Sequence, residues 1–424
     1  MVKVLVVGSG AREHAIASRI ALSAGVSHVL CAPGNGGTAI VAENVPVAAE
    51  DIPGIVKLAK ERGVGFVIVG PEAPLVAGLV DALEEAGIEA FGPKKMAAQL
   101  EGSKAFSKAF MERHAIPTAR AATFTDVDAA IAYARKNGKP LVVKADGLAA
   151  GKGVVVARTV EETVEAIERT MRAREFGAAG DRVVLEDVLV GEEVSFHVLL
   201  DGENSIALAA AQDHKRLGDG DEGPNTGGMG AYSPPPVVTA EVERKILDRI
   251  VAPTVAGLRQ DNIPFRGVLF IGLMIDHGEP YVLEYNTRFG DPETEVLLAR
   301  FDGDLLALMR ACAQGKLDTV SVRWKAPCAL AVVLAAGGYP GSYEKGRVIT
   351  GLDEAAKIDN VQVLHAGTKR EGDTVTTSGG RVLAVTAQGA DIDSTAARAY
   401  EAVARIKFEG MQYRRDIGHH ARKK

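Results

Sequence analysis

Short apolar segments alternate with helical patterns from residue 1 to about residue 102, and this alternation constrains the fold more than any other feature. Val4 to Val7 leads into a glycine turn and then a helical pattern from Arg12 to Ser23, and two further apolar runs follow, His28 to Cys31 and Phe66 to Val69. A strand that returns through a helix pairs in parallel with the next, so the pattern predicts an α/β unit with helices on both faces of a parallel sheet. Ligands of such sheets bind beyond the carboxyl ends of the strands. Those ends carry Gly8-Ser9-Gly10, Ala32-Pro33-Gly34-Asn35 and Gly70-Pro71-Glu72.

The first glycine turn opens a helix, a context that favours binding of a phosphate at the helix N-terminus. Arg12 could add positive charge there. Glu13 replaces the third glycine of the dinucleotide fingerprint, and the second strand ends without the acidic residue that would hold a ribose, so NAD binding is not expected. A tight turn with no ligand stays open as the alternative.

Composition excludes several classes of protein. A chain of 424 residues is long enough for two to four domains. The formal net charge of -6 argues against broad nucleic-acid binding, and no apolar run approaches the roughly 20 residues of a membrane span. Three cysteines without metal-ligand spacing fit a reduced, cytoplasmic setting. Without a long exposed heptad or a basic face, a monomer is expected.

A second unit begins near Ser103 and carries a glycine-rich loop between two strands. The run from Lys144 to Val154 places glycines around Lys152, where flexible backbone could close over phosphates. It is not a Walker loop, because the spacing from Gly147 to Gly151 is one residue short and Gly153 stands where Ser or Thr is required. We expect a hinged lid, with an ordinary glycine-tipped hairpin as the alternative.

Two apolar runs separated by a polar turn, Val268 to Ile275 and Tyr281 to Leu283, predict a β-hairpin. Residues two apart on a strand share a face, so Glu284 and Asn286 point the same way, about 7 Å apart. Both offer oxygen, which Mg²⁺ prefers, and nucleotide phosphates can complete its coordination. Arg288 follows with a planar fork suited to a carboxylate or phosphate. Asp291-Pro292 predicts a helix cap with proline at the first helical position, and the helix is expected to run from Pro292 to Cys312.

Two more segments suggest ligand contacts. The strand ending at Glu186 could present its backbone to an adenine, and Glu193 could accept hydrogen bonds from ribose hydroxyls, although a solvated acidic turn would look the same. Gln212 to Arg216 and Pro224 to Gly230 concentrate mixed charges and backbone donors, as a zwitterionic substrate would need. His214 has no second ligand at metal-ligand spacing, so no transition-metal site is predicted.

Together these motifs resemble one family over essentially the whole chain: the phosphoribosylamine–glycine ligases, or glycinamide ribonucleotide synthetases, of the ATP-grasp superfamily. The similarity is carried by Ala32 to Asn35, Gly70 to Leu75, Leu100 to Lys104, Lys144 to Val154, Gln212 to Arg216, Asn225 to Tyr232 and Arg288 to Glu293. The last run is the most distinctive. Ser9 and Ala11 depart from the family's first loop, which usually has asparagine and glycine at those positions.

The resemblance implies an α/β fold of three domains. They are an N-terminal Rossmann-like (pre-ATP-grasp) domain at residues 1–102 that binds phosphoribosylamine, an ATP-grasp domain at residues 103–325 with a lid subdomain at about 122–190, and a small, mainly β, C-terminal domain at residues 326–424.

The resemblance also implies site residues. ATP contacts are expected from Lys104, Lys144, Gly151, Lys152, Gly153, Glu186, Val188 and Glu193. Substrate contacts are expected from Gly8, Gly10, Arg12, Glu13, Pro33, Gly34, Asn35, Gly70, Pro71, Glu72, Asp213, Lys215, Gly228, Met229, Arg288, Gly290 and Asp291. Glu284 and Asn286 are the expected ligands of Mg²⁺ or Mn²⁺, and Arg288, Lys144 and Lys152 the expected catalytic residues. Many relatives place a third acid on the preceding strand, and its equivalent here is near Gly272.

The implied activity is ATP-dependent ligation of glycine to 5-phosphoribosylamine through glycyl phosphate, in de novo purine (IMP) biosynthesis. The expected partners are therefore small molecules: ATP, glycine and phosphoribosylamine. Another ATP-grasp carboxylate–amine ligase of purine metabolism is the nearer alternative, and a nucleotide sensor without catalytic activity is the more distant one.

Overall fold

The computed structural model describes residues 1–149, 153–325 and 327–422. The strands are β1 (Val2–Gly8), β2 (Val26–Pro33), β3 (Glu43–Asn44), β4 (Phe66–Val69), β5 (Glu89–Phe91), β6 (Ala121–Phe124), β7 (Leu141–Ala145), β8 (Val154–Val156), β9 (Val183–Asp187), β10 (Glu192–Leu200), β11 (Ser205–Ala207), β12 (Gln212–Asp213), β13 (Arg216–Gly218), β14 (Glu222–Asn225), β15 (Gly230–Ser233), β16 (Gly267–Asp276), β17 (Glu279–Asn286), β18 (Phe301–Asp302), β19 (Arg323–Trp324), β20 (Cys328–Ala335), β21 (Val361–His365), β22 (Thr368–Glu371), β23 (Thr374–Thr377) and β24 (Arg381–Gly389). The α-helices are α1 (Ala11–Ala21), α2 (Thr38–Val41), α3 (Ile52–Arg62), α4 (Glu72–Ala77), α5 (Leu79–Glu85), α6 (Lys95–Gly102), α7 (Lys104–Arg113), α8 (Val127–Asn137), α9 (Val160–Ile167), α10 (Ala240–Ile246), α11 (Ala252–Gln260), α12 (Glu293–Arg300), α13 (Leu305–Ala313), α14 (Leu352–Ala356), α15 (Ile392–Arg405) and α16 (His419–Arg422). None of the helices in the described part of the chain combines the length and apolar character that crossing a membrane requires.

The N-terminal sheet is parallel and has the order β3-β2-β1-β4-β5. Its central strand β1 is buried on both faces, and Val4 to Val7 are fully inaccessible to solvent. That continuous apolar run is what a parallel strand covered by helices requires. The predicted βαβ unit is thus confirmed, and it brings the turns after β1, β2 and β4 to one edge.

A small antiparallel sheet of order β6-β9-β7-β8 follows. Lys144 on β7 pairs with Val154 on β8, so the glycine-rich loop joins two antiparallel strands, as predicted. Helices α8 and α9 pack Ile131 and Ile167 against Leu141 and Val143 of this sheet. The loop is therefore attached to a subdomain with its own small core. Its residues 150–152, including Gly151 and Lys152, lie outside the described residues.

The sheet β11-β10-β16-β17 contains the predicted hairpin, and its strands are antiparallel. Tyr285 is buried, and its hydroxyl group lies 2.7 Å from Thr254 Oγ1 on α11. Its neighbours Glu284 and Asn286 are only partly buried and line a cleft. The alternation predicted from the period of two is confirmed.

The C-terminal sheet has the order β12-β15-β20-β24-β21, so two of its strands come from the middle of the chain. Helix α15 covers one face of this sheet with Ala396, Ala399 and Val403, which are buried at helical spacing. The antiparallel pairing agrees with the mainly β expectation. Because β15 pairs with β20, the segment that holds Asp213 is tied directly to the C-terminal domain.

One predicted element is wrong. The expected helix from Pro292 to Cys312 is two helices, α12 and α13, and Pro292 precedes the first helical residue instead of occupying it. The chain leaves α12 at Phe301 because β18 pairs there with β19. Asp304 then starts α13: its side chain accepts a hydrogen bond from the Ala307 N–H at 3.0 Å.

Candidate active site

A cleft of about 1140 Å³ lies between the N-terminal sheet, the small antiparallel sheet β6-β9-β7-β8 and the hairpin β16–β17. The small sheet is called the lid sheet below. Most of the site residues predicted from the sequence line it. They are Gly8, Gly10, Arg12, Glu13, Pro71, Glu72, Lys104, Lys144, Gly153, Glu186, Val188, Glu193, Asp213, Lys215, Glu284, Asn286, Arg288 and Asp291. Residues as far apart in sequence as Gly8 and Asp291 therefore share one cavity.

Glu284 and Asn286 present side-chain oxygens from β17 toward this cleft. Burial disfavours the Glu284 anion, but three ammonium groups outweigh that effect and hold the pKa of Glu284 below its ordinary value. The three are Lys215, Lys104 and Lys144. Gly272 on β16 pairs with Glu284 on β17, and a Cβ added at Gly272 would lie only 3.1 Å from Glu284 Cγ. A third acid at that position would therefore need Glu284 to shift, and the ionised Glu284 with Asn286 remains a fitting oxygen donor set for a divalent cation.

Glu186 on β9 holds two buried lysines beside the cleft. Its Oε2 lies 3.0 Å from Lys144 Nζ and 3.1 Å from Lys108 Nζ. Lys144 Nζ also donates to the Leu283 carbonyl at 2.9 Å, which links β7 to the hairpin. Burial lowers the pKa of Lys108 to about 8, with Glu186 opposing and Lys144 adding to the effect. The sequence analysis did not identify Lys108. Its position could have indicated it, because Lys108 lies four residues after Lys104 and therefore on the same face of α7.

Lys104 and Lys215 have different partners. Lys104 Nζ donates to the carbonyl of Gly147 in the glycine-rich loop at 3.3 Å. Lys215 Nζ lies 2.6 Å from Glu193 Oε2, so this acid and this base neutralise one another.

Arg288 lies between two carboxylates. Its Nη2 is 2.9 Å from Glu101 Oε1 and its Nε is 3.3 Å from Glu72 Oε2. Glu101 also accepts a hydrogen bond from the Thr287 N–H at 2.7 Å. Burial raises the pKa of Glu101 despite Arg288. The fork of Arg288 is thus held in a fixed orientation at the end of β17. Glu101 belongs to a motif noted in the sequence, but nothing in its spacing indicated this contact.

Arg381 lies close to both Asp213 and Asp291, and all three line the cleft. Arg381 Nη2 lies 3.1 Å from Asp291 Oδ1, and Nη1 donates to the Asp291 carbonyl at 2.8 Å. Asp213 is half-buried, but its Oδ1 is inaccessible to solvent and, within the described residues, has no hydrogen-bond partner. Burial and the nearby Glu293 raise the pKa of Asp213. Arg381 comes from β24, and no motif in the sequence indicated it.

Glu13 organises the glycine edge of the N-terminal sheet. Its Oε2 accepts the Gly10 N–H at 2.6 Å, and its Oε1 accepts Arg12 Nε at 2.5 Å. Gly8 has a φ of +126°, and a Cβ there would lie 2.6 Å from Glu13 Cγ. Arg12 Nη1 donates to the Phe289 carbonyl at 2.9 Å. Burial lowers the pKa of Arg12, but Glu13 and Asp291 outweigh that effect and leave the pKa raised. The side chain that replaces the third fingerprint glycine therefore fills the space beneath the turns.

Seven of the predicted site residues do not line the cleft. They are Pro33, Gly34, Asn35, Gly70, Gly228, Met229 and Gly290. Asn35 Nδ2 donates to the carbonyls of Ser9 and His365, and Met229 is fully buried. These residues support the loops around the cleft. Their contacts with a ligand stay predictions.

The parallel N-terminal sheet, the lid sheet and the hairpin cleft define the ATP-grasp class. The biotin carboxylase domain of the Hydrogenobacter thermophilus 2-oxoglutarate carboxylase, whose structure holds MgADP, has the same fold: TM-score 0.75 at 20% identity, covering 97% of this chain and 91% of that one. Three protein-family models match the chain. They describe the N domain (residues 2–101), the ATP-grasp (A) domain (residues 102–294) and the C domain (residues 329–420) of phosphoribosylglycinamide synthetase.

The chain belongs to the phosphoribosylglycinamide synthetase family. It is 52% identical to a phosphoribosylamine–glycine ligase of Vibrio vulnificus over 421 residues, 99% of this chain and 98% of the relative. It is 53% identical to the protein of the same name from Allochromatium vinosum over 422 residues, with the same coverage. A crystal structure of the phosphoribosylamine–glycine ligase of Thermotoga maritima matches with a TM-score of 0.86 and 34% identity, covering 98% of this chain and 100% of that one.

Proposed function

We propose that this protein is an ATP-dependent carbon–nitrogen ligase that joins glycine to 5-phosphoribosylamine, converting ATP to ADP and phosphate in purine biosynthesis. The full-length similarity to proteins named phosphoribosylamine–glycine ligase supports the substrates. The observation that carries the chemistry is the ionised Glu284 beside Asn286, faced by three lysines in one cleft. A carboxylate–amide pair surrounded by ammonium groups suits a metal-bound polyphosphate.

We assign the three domains the boundaries 1–102, 103–325 and 326–424, with the lid at about 122–190. In this division, the glycine edge from Gly8 to Glu13 with Pro71 and Glu72 holds the phosphoribosylamine. The ATP-grasp domain holds the nucleotide, with Lys104, Lys144 and Lys152 toward the phosphates and Glu186, Val188 and Glu193 toward adenosine. Similarity to the family motifs supports the inclusion of Pro33 to Asn35, of Gly228 and Met229, and of Gly290 in the substrate sites.

Glu284 and Asn286 would hold Mg²⁺ or Mn²⁺, which neutralises phosphate charge when it is bound. The reaction needs no nucleophilic side chain. The glycine carboxylate attacks the γ-phosphoryl group and expels ADP, which gives glycyl phosphate. The amine of phosphoribosylamine then attacks the acyl carbon and expels phosphate.

The side chains of the cleft act by positioning and charge neutralisation. Lys144 and Lys104 offset phosphate charge, and the fork of Arg288, oriented by Glu72 and Glu101, meets the acyl phosphate. Asp213, with an unpartnered buried oxygen, offers an acceptor to the ammonium group of glycine. The lid keeps water from the labile intermediate.

Phosphate release from ATP tests this function when it is measured with glycine and freshly prepared phosphoribosylamine, each alone and both together. Release only with both substrates is expected. Release that needs a different amine acceptor would support the alternative ATP-grasp ligase. ATP binding without turnover under every combination would support a sensor. The monomeric state, the cytoplasmic location and the absence of nucleic-acid and membrane partners stay predictions.

A further inference from the structure

We propose that His214, His419, His420 and Asp221 form a binding site for a transition-metal ion such as Zn²⁺, separate from the carboxylate–amide pair on β17. His214 has no second ligand near it in the sequence, because the two C-terminal histidines lie more than 200 positions away. In the fold, one ligand nitrogen from each of the three histidines lies within 4.8 Å of the others. Imidazole nitrogens with one carboxylate oxygen form a donor set that zinc accepts.

The best-defined part of this site surrounds one oxygen of Asp221. Asp221 Oδ2 lies 3.2 Å from His419 Nε2 and 3.1 Å from His420 Nε2. Two ligands held about 2.0–2.1 Å from a tetrahedral zinc ion are roughly 3.3 Å apart, so these separations are close to those that a shared ion requires. The other oxygen, Oδ1, is engaged by Arg414 Nη1 at 2.7 Å, which fixes the carboxylate and leaves Oδ2 for the ion.

His214 supplies a fourth ligand from the protein interior. Its side chain is fully buried, and its Nδ1 has no hydrogen-bond partner among the described residues, with Asp221 Oδ1 the nearby acid at 3.9 Å. The other ring nitrogen, Nε2, accepts the Gly418 N–H at 3.0 Å. Binding through Nδ1 moves the ring proton to Nε2 and displaces the Gly418 contact. Occupancy of the site is thereby linked to the position of the segment after Ile417.

The contacts of His419 orient its ring toward the same point. His419 Nδ1 lies 3.1 Å from the Asp416 carbonyl oxygen and 3.3 Å from the Asp416 carboxylate. The opposite nitrogen, Nε2, lies 3.2 Å from Asp221 Oδ2, on the side where His420 and His214 also lie.

The site would join three segments: the Gln212 to Arg216 motif, the turn before β14 that holds Asp221, and α16. Asp221 and His420 also line the margin of the large cleft. A bound ion would therefore clamp the C-terminal segment onto the loop that borders the substrates.

The test measures metal binding to the full chain by equilibrium dialysis with Zn²⁺ and by visible absorption with Co²⁺, in millimolar Mg²⁺ that fills the β17 site. We expect one tightly bound Zn²⁺ per chain and the intense d–d bands of four-coordinate Co²⁺. The double variant His419→Gln/His420→Gln should weaken Zn²⁺ binding at least tenfold and abolish the bands. His277→Gln, which changes an almost fully exposed histidine, is the matched control and should bind like the parent.

Zn²⁺ should also raise the melting temperature of the parent and of the control variant, but not of the double variant. If the parent binds no stoichiometric Zn²⁺, or if the double variant binds it equally well, the site is refuted.

Discussion

Arg288 is the residue whose surroundings add most to its assigned role. Its guanidinium group is held by Glu72 and Glu101, and Phe289 offers a carbonyl oxygen to Nη1 at 3.2 Å. A planar fork anchored on one side by carboxylates can present its remaining N–H groups to an acyl phosphate in a fixed direction. Lysine could replace the charge but not this geometry.

We expect Arg288→Ala to lower kcat by on the order of 10²-fold or more, the scale of a lost transition-state donor. The dissociation constant for ATP should change much less, because the nucleotide contacts come from other residues. Steady-state kinetics together with ATP titration measures both effects. Arg310→Ala, which removes a more exposed arginine that pairs with Glu89, is the control and should keep parental kcat.

Normal ATP binding by Arg288→Ala would also show that the variant is folded, which matters because Glu101 loses its buried partner. Near-parental turnover in this variant would contradict the assigned role of Arg288.

Glu284 and Glu279 lie on the same strand and differ in their surroundings. Glu279 is a surface carboxylate bound to Lys245 at 2.7 Å, whereas Glu284 faces the cleft lysines. We expect Glu284→Gln to raise the Mg²⁺ concentration needed for half-maximal activity, because an ionised metal ligand is replaced by a neutral one. Glu279→Gln should leave the magnesium titration unchanged. An unshifted titration in Glu284→Gln would place the metal elsewhere.

At the scale of elements, the loop between β7 and β8 belongs to a subdomain with its own core. Lys104 contacts its Gly147 carbonyl, and Leu148 lines the cleft although it is partly exposed. A lid on this subdomain should close over bound nucleotide and become less accessible.

Limited proteolysis measures that closure. We expect cleavage within residues 146–153 to slow when ATP and Mg²⁺ are added, because the closed loop cannot enter a protease active site. Cleavage at the exposed hairpin turn Gly372-Asp373, between β22 and β23, is the internal control and should keep its rate. Equal rates with and without nucleotide at both places would indicate a rigid hairpin.

Local pattern predicted the elements better than it predicted their partners. The period of two around Glu284 was enough to place Glu284 and Asn286 together on the cleft face, because strand geometry fixes the direction of neighbouring side chains. The break between α12 and α13 was missed because it depends on pairing with Trp324, more than twenty positions away. Apolar periodicity continues across the break, so only tertiary contacts reveal it.

The same reason limits prediction of the site. Lys144, Glu186 and Arg288 stand in recognisable motifs, and resemblance assigned them roles. Arg381 arrives from β24 with no motif, and His419 meets His214 only through the fold. Side chains delivered by a distant strand leave no local signal in a single sequence.

At the scale of the whole molecule, a contact between two buried histidines joins the N-terminal and C-terminal domains, and a third buried histidine lies between these two in the sequence. His14 on α1 accepts the His365 N–H of β21 at 2.8 Å, and the two rings lie 5.6 Å apart. His197 on β10 is fully buried beside Phe270 and Phe289. Burial lowers the pKa of His14 to about 3, that of His197 to about 3 and that of His365 to about 4, with a neighbouring cationic or imidazole group adding to each shift.

These three histidines predict a fold that weakens in mild acid. An unfolded histidine titrates near pH 6.5, so below that pH the unfolded chain binds more protons than the folded one, and the free energy of unfolding falls as pH falls. The stabilisation is fully present above pH 6.5. By pH 5 each histidine should have lowered the free energy of unfolding by at most roughly 2 kcal/mol, since the loss is about 1.4 kcal/mol per pH unit.

Urea denaturation at pH 7.5, 6.5, 5.5 and 5.0 measures how the free energy of unfolding changes with pH. His197→Gln should reduce the loss by about one proton's share, while replacement of the exposed His277 should not. A free energy of unfolding that is constant from pH 7.5 to 5.0 would mean that the folded and unfolded proteins bind the same number of protons, and it would contradict the lowered pKa values of these rings.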